Sequence, residues 1–221
     1  MTGRITLKTK AQIVYRELCR LYPKTSCFLH FSKDYELLFA VILSAQATDK
    51  SVNEATSVLF KEFPKLEDYN PNNRAEIKSI IKSVGLANSK VEYLIKTAQI
   101  LLEQYDGKVP QDRKKLMELS GVGFKTSGVV LGELFNEKLI PVDTHISRVT
   151  KRIGLVSSEL SNDEIEVKLE RLFSEDRSID LHRKLILFGR NICKAQAPDC
   201  SSCPFTEICR YYKLKKNDTT K

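Results

Sequence analysis

Two short stretches and one run of cysteines hold the residue types that could do chemistry in this chain. The first stretch, SGVGFKTSG from Ser120 to Gly128, places Gly121, Val122 and Gly123 just ahead of Lys125. Glycines let a turn bring backbone amides close to a phosphate, and a helix starting at once behind it adds the positive end of its dipole. Neither common nucleotide loop fits. A Walker loop would need glycine where Leu119 and Phe124 stand, and a G-x-G-x-x-G fingerprint would need it at Thr126. The turn suits a nucleic-acid backbone, gripped without reading bases, although an ordinary corner between two helices carries the same pattern.

A lysine can attack a sugar carbon and form a Schiff base only as the neutral amine. An ordinary lysine, with a pKa of about 10.4, is nearly all ammonium at neutral pH. A helix N-terminus, partial desolvation and neighbouring cations make the amine more accessible, whereas most lysines are solvated surface charges. The second stretch, PVDTHISRV, contains Asp143, eighteen residues beyond Lys125. An aspartate there reads first as a helix cap. Paired with a nucleophilic amine, its carboxylate could also stabilise an oxocarbenium-like sugar and assist deprotonation.

Cys193, Cys200, Cys203 and Cys209 form a C-x6-C-x2-C-x5-C run. Four thiolates at such spacing can wrap a structural zinc or a [4Fe-4S] cluster, and the single C-x2-C knuckle favours the cluster. It would fix the loop from Lys194 to Asp199 and hold Arg190 and Lys194 against phosphates. Cys19 and Cys27 stand alone and read as buried.

These groups need a scaffold, and helical periodicity is visible nearly everywhere with no sustained strand alternation. Asn88 can cap a helix through Tyr105, with Val91, Leu94, Ile95, Ala98, Leu101 and Leu102 on one face and Gly107 beyond its end. Asp34 can start the helix YELLFAVILSA, and Ser161 with Glu164 forms a capping box. LMELSGVGFKTSGVVLGELF reads as a short helix, a tight turn and a second helix from near Phe124, a helix-hairpin-helix. The reading is all-α, about ten helices with short loops, and composition marks no domain boundary.

The 221 residues include 36 Lys and Arg against 28 Asp and Glu, a net +8. Such a balance favours an anionic partner such as nucleic acid. His182 to Lys221 holds nine basic and three acidic residues, so +6 of the total lies there. No apolar run approaches the roughly 18 residues of a membrane span, and MTGRITLKTKAQIV has no secretory core. An intracellular protein is expected, where structural disulfides are rare.

Taken together, LLFAVILSAQATDKSVN, VGLANSK, LSGVGFKTSGVVL, PVDTHISRV and the cysteine run resemble, in order from about Leu37 to Cys209, the endonuclease III family of DNA glycosylases. The resemblance implies a bifunctional glycosylase/AP lyase of base excision repair. Such an enzyme removes oxidised or reduced pyrimidines from duplex DNA, with Lys125 as nucleophile and Asp143 as its catalytic partner. It implies that Gln46 and Leu86 fill or wedge the space left by a flipped base, and that Gly121, Val122, Gly123, Arg190 and Lys194 bind DNA. It also implies a [4Fe-4S] cluster on the four cysteines. Two helical domains with a central DNA-binding cleft would follow: 27–134, carrying the hairpin, and 1–26 with 135–221, carrying the cluster. The implied partner is damaged double-stranded DNA, with no membrane, for a monomer in the cytoplasm or nucleoid if bacterial.

The chain departs from the family pattern at Ser120, Phe124, Ser127 and Gly128 in the hairpin, and at Arg183 and Lys184 before the cysteines. Lys125 separates it from the adenine-excising branch. A thymine or uracil mismatch glycosylase and a non-catalytic DNA-binding iron-sulfur module remain as alternatives.

Overall fold

The computed structural model describes residues 5–173 and 178–218, so Lys221, counted above in the basic segment, lies outside the described residues. Within them are eleven α-helices and three short 3-10 turns, with no strand. The helices are α1 (Leu7–Leu21), α2 (Asp34–Leu43), α3 (Asp49–Glu62), α4 (Arg74–Ile80), α5 (Ala87–Gln104), α6 (Arg113–Glu118), α7 (Phe124–Phe135), α8 (Thr144–Ile153), α9 (Asn162–Leu172), α10 (Ile179–Asn191) and α11 (Arg210–Asp218). The chain divides into two compact units: Cys27–Phe135, and Met1–Ser26 together with Asn136–Lys221.

In the Cys27–Phe135 unit, α2 is apolar on every side and is therefore a core helix rather than an amphipathic one. Leu37, Leu38, Phe39, Ala40 and Leu43 are wholly buried, and α3, α5 and α7 pack on α2. Burying each such leucine or phenylalanine contributes about 1.5–3 kcal/mol. Asp34 is the first residue of α2 rather than its cap, which is Lys33. The capping work falls to Glu36, whose carboxylate accepts from the amides of Ser32 at 2.7 Å and Lys33 at 3.1 Å.

Helix α5 begins at Ala87, so Asn88 sits inside its first turn and does not cap it. The cap is Leu86, in the left-handed region at φ 52°, and its carbonyl already accepts from Ser89 and Lys90, which leaves Asn88 nothing to start. Val91, Leu94, Ile95, Ala98 and Leu101 are buried as their spacing requires, whereas Leu102 is exposed. The helix ends at Gln104, and the Gly107 amide closes the end on Leu101 O at 2.8 Å.

In the other unit α8 packs on α10, and α10 in turn on α1. The expected capping box opens α9: the Ser161 amide donates to Glu164 at 2.8 Å, and the Glu164 amide to Ser161 Oγ at 3.4 Å. Lys184 is only 4% exposed, with its ammonium on Asp180 at 2.6 Å and on Cys19 Sγ at 3.5 Å. Cys19 and Cys27 are half-buried rather than buried. The Cys19 sulfur accepts from that lysine.

Candidate functional site

The glycine turn joins α6 to α7 as a helix-hairpin-helix. Asp112 caps α6 by accepting from the Lys115 amide at 2.9 Å, and Thr97 Oγ1 donates to Ser120 O at 3.1 Å, fixing the turn to α5. Val122 is buried and anchors the turn from inside, while Gly121 and Gly123 are exposed. Ser127 is the first amide of α7 to bond back, to Gly123 O at 2.9 Å. The amides ahead of it in the first turn therefore point out of the helix end, as a backbone phosphate requires. Lys125 is the second residue of α7 and is exposed.

The two glycines are not equivalent. Gly121 has φ +79°, and a Cβ there would meet Tyr93 Cδ2 at 2.7 Å and Cγ at 2.9 Å. A Cβ at Gly123 would meet nothing within 4 Å. Gly121→Ala is expected to cost at least about 2 kcal/mol, since the left-handed backbone alone costs about 1–2 and overpacking adds more. Gly123→Ala should stay within about 1 kcal/mol. Thermal melts of the two variants check this, the first melting several degrees below the second.

Two of the departures from the family pattern acquire partners here. The Arg113 guanidinium lies over the Phe124 ring, 4.1 Å from its centroid, tying α6 to α7. Ser127, fully buried, donates from Oγ to Phe124 O at 2.7 Å, inside the first turn of α7.

Gln46 and Leu86 share an unusual backbone. Both are non-glycine residues in the left-handed region, at φ 54° and 52°, and both side chains are exposed, Leu86 by 57%. An apolar side chain held out by a costly backbone conformation points to a functional constraint.

Asp143 belongs to the other unit, half-buried at the N-cap of α8, where its Oδ1 accepts from the Ile146 amide at 2.8 Å. The segment leading to it is fixed from below. Ile140, Pro141 and Val142 are buried, and Pro141 O lies 2.6 Å from His182 Nδ1. A carbonyl can only accept, so that ring nitrogen carries the proton. His145, the second residue of α8, has its imidazole held below the ordinary value, chiefly by burial, with Arg148 and Arg190 adding to the effect against the Asp143 carboxylate.

The C-terminal half of α8 holds the cysteine loop. Arg148 donates to Cys193 O at 3.0 Å and Gly189 O at 2.8 Å, and Arg152 to Lys194 O at 2.6 Å and Ala195 O at 2.9 Å. Arg152 also stacks on Tyr211, 4.6 Å from the ring centroid, and reaches within 3.7 Å of Cys193 Sγ. Arg190 and Lys194 are both exposed, at the end of α10 and in the loop behind it. Sequence reading missed Arg148 and Arg152; the usable signal was their spacing of four, with His145 three before, on one face of α8. Arg152→Met is expected to speed tryptic cleavage after Lys194 at least about tenfold, because a charged donor is worth about 1.5–3 kcal/mol. A timed digest followed by mass spectrometry reads this.

Cys193, Cys200, Cys203 and Cys209 are all free thiols and line one cavity with Phe188 and Phe205. Burial pushes the Cys203 thiol up to about 11 and raises Cys209 as well. Positive charge next to these sulfurs would offset that cost. Amide support is present too, since the Phe205 amide donates to Cys203 Sγ at 3.4 Å. The Asp199 carboxylate, held down at about 2 by Ser201 and Ser202, braces the turn between the second and third cysteines. Among the described residues no three His, Cys, Asp or Glu side chains are gathered closely enough to form a metal site by themselves. No described helix is long and apolar enough to cross a membrane.

Residues 39–175 match the model of the HhH-GPD superfamily base excision DNA repair protein family. Endonuclease III of Rickettsia felis is 46% identical over 190 residues, covering 86% of this chain and 88% of that protein. The structure of a non-covalent endonuclease III–DNA complex superposes with a TM-score of 0.90 at 39% identity, covering 95% of this chain and 98% of the other. A trapped endonuclease III–DNA covalent intermediate gives 0.89 at the same identity and coverage.

Proposed function

Since the chain belongs to the HhH-GPD superfamily of base excision DNA repair proteins, we propose that it is a bifunctional DNA glycosylase/AP lyase that removes oxidised or reduced pyrimidines from duplex DNA. The observation that carries this reading is an exposed lysine placed second in a helix that opens from a glycine hairpin. A backbone grip and a nucleophile are thereby built into one rigid element.

Each step follows from groups in hand. The open amides at the start of α7 hold a phosphate beside the lesion, and Val122 keeps the turn seated. The damaged nucleotide leaves the stack, and Gln46 and Leu86 occupy the space behind it, which offsets part of an unstacking cost of a few kcal/mol. The Lys125 amine attacks C1′, the glycosidic C–N bond breaks, and the base departs with a proton. Loss of the amine proton and opening of the sugar ring leave an imine between Lys125 and C1′. A C2′ proton is then removed, the C3′–O bond breaks, and water releases the lysine from the nicked strand. Asp143 stabilises the positive charge on the sugar and takes part in these proton transfers.

The residues around the cysteine cavity fit a [4Fe-4S] cluster: four free thiols, aromatic walls and cationic and amide donors nearby. Cys193, Cys200, Cys203 and Cys209 would hold it. When bound it supplies a covalent brace for the loop, so that Arg190 and Lys194 meet phosphates at a fixed position. Iron with thiolate-to-iron absorbance is the expected composition, and zinc would contradict it. A monomer acting inside the cell on damaged duplex DNA completes the reading.

A duplex carrying one thymine glycol tests it. The expected product is a strand nicked 3′ to the lesion by β-elimination. Base release that leaves the strand intact would fit the mismatch-glycosylase alternative, and binding with neither reaction would fit a non-catalytic module.

A further inference from the structure

Lys90 is 2% exposed, and among the described residues no carboxylate acts on its ammonium. Its Nζ instead donates to three backbone carbonyls, Leu43 O, Ala45 O and Val84 O, each at 2.8 Å. The three donors of an ammonium are used by three acceptors, which is what a buried lysine needs to remain charged. Burial still pulls its pKa below the ordinary lysine value.

The choice of carbonyls is informative. Leu43 is the last residue of α2, at the negative end of a helix buried from Glu36 onward. Ala45 O immediately precedes Gln46, and Val84 O closes the 3-10 turn two residues before Leu86. Both of those residues are exposed and left-handed. All three oxygens lie within 2.8 Å of one nitrogen, so the loop bearing Gln46 and the turn bearing Leu86 are joined through one point. Lys90 lies one turn ahead of Leu94 on the buried side of α5, whose packing fixes where the ammonium can sit.

We infer that Lys90 is a positioning residue: its ammonium staples the two wedge loops together and sets the reach of Gln46 and Leu86 into the duplex. It touches no reacting atom, and it matters only where a nucleotide must be displaced from a duplex. This rests on the glycosylase/lyase reading for its consequence, but not for its geometry.

Two measurements on the full-length protein test it. The first is hydrogen exchange of wild type, Lys90→Met and Lys90→Gln without DNA. Methionine keeps the stem without donors, and glutamine keeps two donors on a shorter stem. Amides of residues 44–48 and 84–89 should exchange at least about tenfold faster in Lys90→Met, by an intermediate factor in Lys90→Gln, and unchanged at the 119–127 hairpin. The second is the rate of borohydride trapping on an abasic site, in duplex and in single-stranded DNA. Lys90→Met should lower the duplex rate at least about thirtyfold and the single-stranded rate by no more than about threefold, matching Leu86→Ala.

An equal fall on both DNAs, a uniform loss of protection along the chain, or unchanged exchange at the two loops would each overturn the inference. Should wild type react with neither DNA while the two loops still loosen together, the lyase reading fails and the staple stands.

Discussion

Lys125→Ala should leave no borohydride-trapped enzyme–DNA adduct and lower nicking of a lesion-bearing duplex by at least about 10³-fold, because no other group replaces the amine that must become the imine. The protein itself should be almost untouched. Lys125 is exposed on α7, alanine is the better helix former, and surface substitutions of this kind stay within about 0.5 kcal/mol. Undamaged-duplex affinity should change by no more than about threefold, since in the proposed reading the grip is shared among backbone amides, Arg190 and Lys194, with Lys125 as one cation among several. Gel-resolved trapping alongside a binding titration separates the two effects. A parallel loss of adduct and of binding would mean that the lysine is a phosphate contact rather than a nucleophile.

Asp143→Asn is the second large effect, and its value lies in what it preserves. The Asp143 side chain caps α8 by accepting from the Ile146 amide, and asparagine caps a helix as well as aspartate does. Only the negative charge and its basicity are removed. Its interaction with the helix dipole is worth about 0.3–1 kcal/mol, so the melting temperature should fall by a few degrees at most. Turnover should fall by about 10² to 10⁴-fold, the usual contribution of a positioned proton-transfer group. Single-turnover excision at saturating enzyme, read next to a thermal melt, distinguishes a lost charge from a lost cap. Asp143→Ala would confound them, because it removes both.

What the sequence made legible was what is local in the chain. The hairpin, its first glycine and the start of α7 follow from residues within one turn of each other, as do the Asp143 cap and the Ser161–Glu164 box. The family resemblance came from such blocks in fixed order. Asn88 misled because a capping residue type is only a local preference. The carbonyl of Leu86 had already started α5, in a turn whose preceding carbonyl is held by an ammonium.

Long-range partners were not legible. Sequence reading passed over Lys90, yet it falls in register with Leu94, Thr97 and Leu101 on the buried side, and its three acceptors lie up to 47 residues away. Arg148 and Arg152 likewise meet their carbonyls 41 to 45 residues on. A lone cation in register with an apolar stripe is the pattern that could have flagged Lys90. Lys184, also placed on a buried helix face and only 4% exposed, repeats it.

The proposed reaction turns on a covalent bond between Lys125 and DNA. Wild-type protein incubated with a thymine-glycol duplex and borohydride should give a stable adduct, and mass spectrometry of its peptides should place the reduced link on Lys125. An adduct on another residue, or none while the base is still released, would contradict the account.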